Sequence, residues 1–138
     1  MPLTINLNSF SYKKEGIPSD KSGNGGGFVF DCRFIYNPGR EEEFKTLTGK
    51  DEKVIRFLDS QKEMKDFLIN VFKITDPAIE NFMKRNFTDL MISFGCTGGQ
   101  HRSVFAAEQT LKHIKEKYPD VTVILNHAVI GKGFNFEK

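Results

Sequence analysis

A chain of 138 residues, 38% apolar and 28% charged, has the length and make-up of one globular domain with a single core. A net charge of +2 neither demands nor excludes nucleic acid, and no apolar run reaches the ~18 to 20 residues that span a bilayer. The opening residues, MPLTINLNSFSYKKEG, lack a basic segment followed by an apolar one, so no signal peptide is expected and a bacterial cytoplasmic protein is the default reading. Cys32 and Cys96 could pair, but that setting favours free thiols. Fourteen Phe and no Trp point to a Phe-rich core rather than to a ligand site.

Residues 3–8, LTINLN, alternate apolar and polar, which predicts a half-buried strand. Residues 9–18 follow as a loop, and the glycine-rich 19–27 as a flexible surface connection. A phosphate-gripping role for those glycines is the alternative, but no Gly-x-x-x-x-Gly-Lys-Ser/Thr pattern occurs in the chain. Residues 28–35, FVFDCRFI, form a second expected strand. Asp31 and Arg33 share one of its faces, either lining a site or forming a solvent-facing ion pair on an edge strand. Residues 36–39 read as a turn and 41–49 as irregular. A helix is expected over 51–58, with Val54, Ile55, Phe57 and Leu58 inward. Ser60-Gln61-Lys62-Glu63 has capping-box spacing for a next helix, which buries Met64, Phe67, Leu68, Val71 and Phe72. Asp76-Pro77 reads as the start of another, with Ile79, Phe82 and Met83 inward.

The most informative stretch is TDLMISFGCTGGQHRS, residues 88–103. Leu90–Phe94 reads as a buried strand, followed by a glycine turn and the start of a helix over about 102–117. Val104, Ala107, Leu111, Ile114 and Tyr118 recur at helical spacing, and Pro119-Asp120 ends that helix. Val121–Leu125 is the last strand, and residues 131–138 read as an irregular tail. Strand, helix and strand favour parallel pairing through a right-handed crossover. The fold expected is α/β: one domain over 1–138, with a small, mostly parallel sheet flanked by helices. Ligands in such sheets sit at the carboxyl ends of the strands, which places His127 on the rim of the Cys96 loop if the two strands are neighbours.

That loop supports two chemistries. Helix starts carry unpaired N–H groups and the positive dipole end, so Thr97, the backbone of Gly98, Gly99 and Gln100, and the side chains of His101 and Arg102 could surround a phosphate. An Arg in the first helical turn opposes the dipole, which a bound anion or a carboxylate such as Asp31 would relieve. Alternatively, Cys96 and Arg102 stand at Cys-(five residues)-Arg with Ser103 following, the spacing of cysteine-dependent phosphatases, with Asp31 as general acid. Gly95 stands where those enzymes usually carry His. Cys96 as a small buried group at a tight turn, and His101 satisfied by backbone groups, are the structural alternatives.

The segment GCTGGQHRSV, residues 95–104, with Ala107-Glu108-Gln109 behind, resembles the GCTGG-[KQ]-HRSV segment of the RapZ family, the bacterial RNase adapters and their YvcJ-like relatives. Residues 9–13 and 16–20 resemble the family's SFGFKYGIP-x-D, and 28–34 its YVFDVRF. Asn37-Pro38 and residues 47–51 resemble its PNP and LTG-x-D. The resemblance covers roughly residues 5–127 in the order of the family's C-terminal domain. It implies an α/β domain whose pocket takes a phosphorylated amino sugar, glucosamine-6-phosphate, and which binds small regulatory RNA and presents it to a ribonuclease. Cys96, Thr97, Gly98, Gly99, His101 and Arg102 match pocket positions of the family.

Four departures qualify this. The family's N-terminal P-loop ATPase domain is not in the chain, so ATP binding is not carried over. Gly39 replaces the family's pocket His after Asn-Pro, and residues 22–27 are inserted. The family's basic C-terminal segment is reduced to HAVIGK, residues 127–132, which weakens the case for RNA.

The expected function is thus a binding and regulatory domain for a small phosphorylated metabolite. Its site would be Cys96 to Ser103 with Asp31, Arg33 and His127, with no metal and no cofactor. An RNA-binding regulatory module is the alternative and a phosphatase using Cys96, Arg102 and Asp31 the second; more weight falls on a non-enzyme. Phosphate or sulfate, RNA and a second copy of the chain are the partners considered, without a membrane.

Overall fold

A computed structural model describes residues 2–132; the tail expected to be irregular lies, from 133 on, outside the described residues. Four strands, β1 (Thr4–Ser11), β2 (Phe28–Asp31), β3 (Asp89–Cys96) and β4 (Thr122–His127), form an all-parallel sheet in the order β2-β3-β1-β4. Helices α1 (Glu52–Asp59) and α2 (Lys62–Lys84) lie between β2 and β3 in the chain, and α3 (Arg102–Lys117) joins β3 to β4. Short 3-10 turns cover Pro38–Arg40, Glu42–Phe44 and Ile130–Lys132. This is the α/β domain expected.

Alternation along the strands sorts the side chains into two faces. Ile5 and Leu7 of β1 with Leu90, Ile92 and Phe94 of β3 belong to the main core, with Val54, Leu58, Met64, Ile79 and Ile114 from the helices. Phe30 of β2 stacks on Phe94 at 5.5 Å between ring centroids and meets Phe67 of α2 edge-on, so Phe residues fill this core as expected. The other face carries Asn6 and Asn8 of β1 and Asn126 of β4, which with residues 15–22 line a groove of about 740 Å3. The glycine-rich segment has internal order: the Asp20 carboxylate accepts from the Ser22 N–H, the Ser22 hydroxyl and the Gly26 N–H, and Asn24 Nδ2 donates to the Asp89 carbonyl.

Four expectations are corrected. β1 does not end at Asn8, because Ser9, Phe10 and Ser11 pair with Phe94, Gly95 and Cys96. β2 stops at Asp31, four residues short of the expected end. Most tellingly, no helix starts at Asp76-Pro77: α2 runs unbroken through Pro77. Pro77 removes one helical N–H donor, but Met64, Leu68, Val71, Thr75 and Ile79 form one buried stripe at four- and three-residue steps straight past it. Asp76, rather than capping, accepts from His113 Nε2 at 2.9 Å and Lys117 Nζ at 3.0 Å on α3. Likewise Ser60 closes no capping box; its hydroxyl donates to the Phe57 carbonyl, and Gln61 precedes α2 without a side-chain cap.

Among the described residues no helix is long and apolar enough to cross a membrane. The α2–α3 clamp makes a first prediction: Asp76→Ala, which leaves two donors without their buried acceptor, lowers stability by about 2 kcal/mol. Urea unfolding should show a lower midpoint at unchanged slope.

Candidate functional site

The carboxyl ends of β1, β3 and β4 meet on one rim. β3 and β4 are not neighbours; they flank β1, whose Ser11 faces Cys96 and whose Ser9 faces His127. The loop 97–101 and the start of α3 stand on this rim.

Gly95 has no room for a side chain: a Cβ there would come within 2.4 Å of the Phe10 ring and 2.6 Å of the Tyr12 ring. The ring contact explains why a small residue precedes Cys96. Cys96 itself is buried, with Sγ 3.1 Å from the Ser103 hydroxyl, itself fully buried. The Ser11 hydroxyl donates to the Thr97 carbonyl at 2.5 Å and accepts from the Lys13 and Lys14 N–H groups. Gly99 adopts φ +67°, and a Cβ there would lie 2.6 Å from Val129 Cγ2, whereas Gly98 faces open space.

The next three side chains bond to the segment 33–47. Gln100 Nε2 donates to the Lys45 and Leu47 carbonyls at 2.8 and 2.7 Å. His101 Nε2 lies 2.8 Å from the Phe44 carbonyl, so that nitrogen carries the proton and donates. Its 3.2 Å approach to Gln100 Nε2 is donor against donor, hence proximity alone. Burial pushes the His101 pKa below its ordinary value, so the ring is neutral. Arg102 Nη1 donates to the Arg33 and Ile35 carbonyls at 2.9 and 2.8 Å, and its buried Nε has no partner among the described residues. The backbone N–H groups from Thr97 through Val104 have no acceptor among the described residues. Gly39 lies beside this cluster, its Cβ direction 3.5 Å from His101 Cε1.

Asp31 and Arg33 pair at 2.7 Å on the edge strand side of the rim, both about half exposed. The Arg33 guanidinium lies 3.8 Å over the Tyr12 ring, and its bonds to Asp31 hold that carboxyl below the usual range. An ionised Asp31 is a poor general acid. His127 is linked on both sides: the Ser9 hydroxyl lies 2.6 Å from Nδ1, and Nε2 lies 2.7 Å from Glu108 Oε2. With Nε2 donating to the Glu108 carboxylate and Nδ1 accepting from the Ser9 hydroxyl, both contacts are satisfied. Ser9, Ser11, Tyr12 and Glu108 border the candidate site, and the sequence reading missed them. Their signals were the family-like segment 9–13 and, for Glu108, a place one position past Ala107 on the inward stripe of α3. Among the described residues no three His, Cys, Asp or Glu side chains cluster as a metal site.

Two outcomes follow from this geometry. Gly99→Ala costs about 1 to 3 kcal/mol through the left-handed backbone and the Val129 contact, while Gly98→Ala stays within about 0.5 kcal/mol; paired melting curves check this. As pH falls, the unfolded chain protonates its His101 first, near ~6.5. The contribution of a buried neutral His is therefore present above that pH and lost below it. Between about pH 7.5 and 5.5 the urea midpoint should fall less in His101→Gln than in the parent.

The RapZ C-terminal domain matches residues 3–130. A nucleotide-binding protein of Shewanella sp. (strain MR-7) is 38% identical over 129 residues, covering 91% of this chain and 43% of the relative. Another, of Endomicrobium trichonymphae, is 40% identical over 129 residues, 93% and 42% of the two chains. A third, of Thermoanaerobacter sp. (strain X514), is 38% identical over 130 residues, 94% and 43%. The chain spans about two-fifths of the length of these relatives. With nearly its whole length matched in fold order, this chain belongs to the RapZ C-terminal domain family.

Proposed function

We propose that the chain is a regulatory binding domain that takes the phosphate of a small metabolite at the loop 97–103. The observation that carries this is the run of backbone N–H groups from Thr97 through Val104 without an acceptor, set at the positive end of α3. The buried Arg102 Nε adds a cationic donor still unpaired. Beside them, the ionised Asp31 offers a carboxylate to an ammonium, which suits an amino sugar phosphate. The names of the relatives, nucleotide-binding proteins, fit a phosphorylated ligand.

Within this reading the cast is narrower than the loop sequence suggests. Thr97, Gly98 and Gly99 present backbone, Arg102 supplies charge, and Gln100, His101 and Ser103 hold the shape. Cys96, buried against Ser103, lines the base and attacks nothing. Aryl phosphate turnover that is lost in Cys96→Ser would argue for the phosphatase reading instead.

The test is binding itself. Inorganic phosphate and glucosamine-6-phosphate should each raise the melting temperature, by the equivalent of about 2.7 kcal/mol at 100 times Kd. Amide resonances of residues 97–103 should move in the same titration. Unchanged melting and unmoved loop amides at millimolar ligand would remove this function.

A further inference from the structure

In the binding scheme as it stands Cys96 only lines the base, and Cys32 plays no part. In the β2–β3 ladder Phe30 is opposite Phe94 and Asp31 opposite Gly95. The Cys32 N–H donates to the Gly95 carbonyl at 2.7 Å, which extends the parallel ladder one residue and makes Cys32 the partner of Cys96. Side chains alternate, and the preceding pair on that face, Phe30 and Phe94, is in ring contact. Both thiols are free and at most 2% exposed, in the same core. Adjacent strands lie ~4.8 Å apart, within the ~4.4 to 6.8 Å Cα spacing of a disulfide.

We propose that Cys32 and Cys96 are a reversible dithiol–disulfide pair, an oxidation site set under the loop 97–103. A low-molecular-weight disulfide is the oxidant. The Cys32 thiolate attacks one of its sulfurs and expels a small thiol. The Cys96 thiolate then attacks the Cys32 sulfur of the mixed disulfide and expels the second. Two protein S–H bonds are lost, one S–S bond forms, and the small disulfide leaves, with both protons, as two thiols. Cys32 goes first because it stands just past the four-residue edge strand β2, whose opening exposes it. Burial holds the Cys32 thiol well above its usual pKa, so exchange waits for that opening. Oxidation turns the Cys96 sulfur from Ser103 to Cys32 and frees a hydroxyl in the first turn of α3. This last effect rests on the phosphate reading; the bond does not.

The experiment refolds the reduced chain in glutathione buffers of graded oxidised share, alkylates remaining thiols, digests, and analyses the peptides by mass spectrometry. The expected result is a joined Cys32–Cys96 peptide, two hydrogens lighter than the separate pair, rising with oxidised glutathione and reversed by dithiothreitol. The oxidised protein should keep its circular dichroism and melt no lower than the reduced one. Both cysteines recovered singly alkylated or glutathionylated at every ratio would overturn the proposal, as would an oxidised chain that does not fold. Cys32→Val should fold and respond to phosphate like the parent yet give no cross-link. If the cross-link forms but phosphate changes neither redox form, the pair stands and the loop reading falls.

Discussion

Three consecutive side chains at the start of α3 donate to carbonyls of one irregular stretch. Gln100 reaches Lys45 and Leu47, His101 reaches Phe44, and Arg102 reaches Arg33 and Ile35. The segment 33–49 contains only 3-10 turns, so it has few partners of its own for its carbonyls. The loop supplies them. Gly49 completes the seam: its N–H donates to the Gln100 carbonyl at 2.9 Å, and a Cβ there would stand 2.4 Å from the His101 carbonyl. The rim therefore depends on this seam, which ties the polar side chains at the start of α3 to the segment 33–49.

The electrostatic consequence is a concentration of positive potential. A buried guanidinium, a helix N-terminus and N–H groups without an acceptor among the described residues lie together. Asp31, the carboxylate nearest in the ladder, is already bound to Arg33. A structure that holds a cation against the dipole carries a cost, which a bound phosphate would offset. A catalytic site needs more: an exposed nucleophile and a proton donor. Here the thiol is buried against the Ser103 hydroxyl and the carboxyl is kept ionised.

Where periodicity is long and uninterrupted, the sequence was sufficient. α3 appears at 102–117 as its apolar spacing implied, and β4 within two residues. Local punctuation misled where tertiary packing outweighed it. Asp76-Pro77 has the chemistry of a helix start, but one buried stripe and the His113–Lys117 contacts hold α2 continuous. Ser9 and Ser11 look like loop residues, yet each buried hydroxyl finds a partner across the rim. The site was legible as a place and not as an arrangement: spacing locates Cys96 to Ser103 at a helix start, but the direction of each side chain depends on carbonyls more than fifty residues away.

The same logic assigns different work to the two sides of the rim. On the β4 side, His127 is held by Ser9 and Glu108, with both ring nitrogens occupied. A His fixed in this way contributes shape, and any ligand group must displace an existing partner to reach it. On the β2 side, Arg33 and Asp31 are about half exposed and Gly98 faces open space. Gly39 leaves room next to His101 where the resemblance leads one to expect a larger ring. Under the proposed function, recognition beyond the phosphate would fall to the β2 side. There the exposed ion pair and the missing side chain at Gly39 would determine which metabolite fits, while the backbone of Thr97 to Gly99 would read the one group that every such ligand shares.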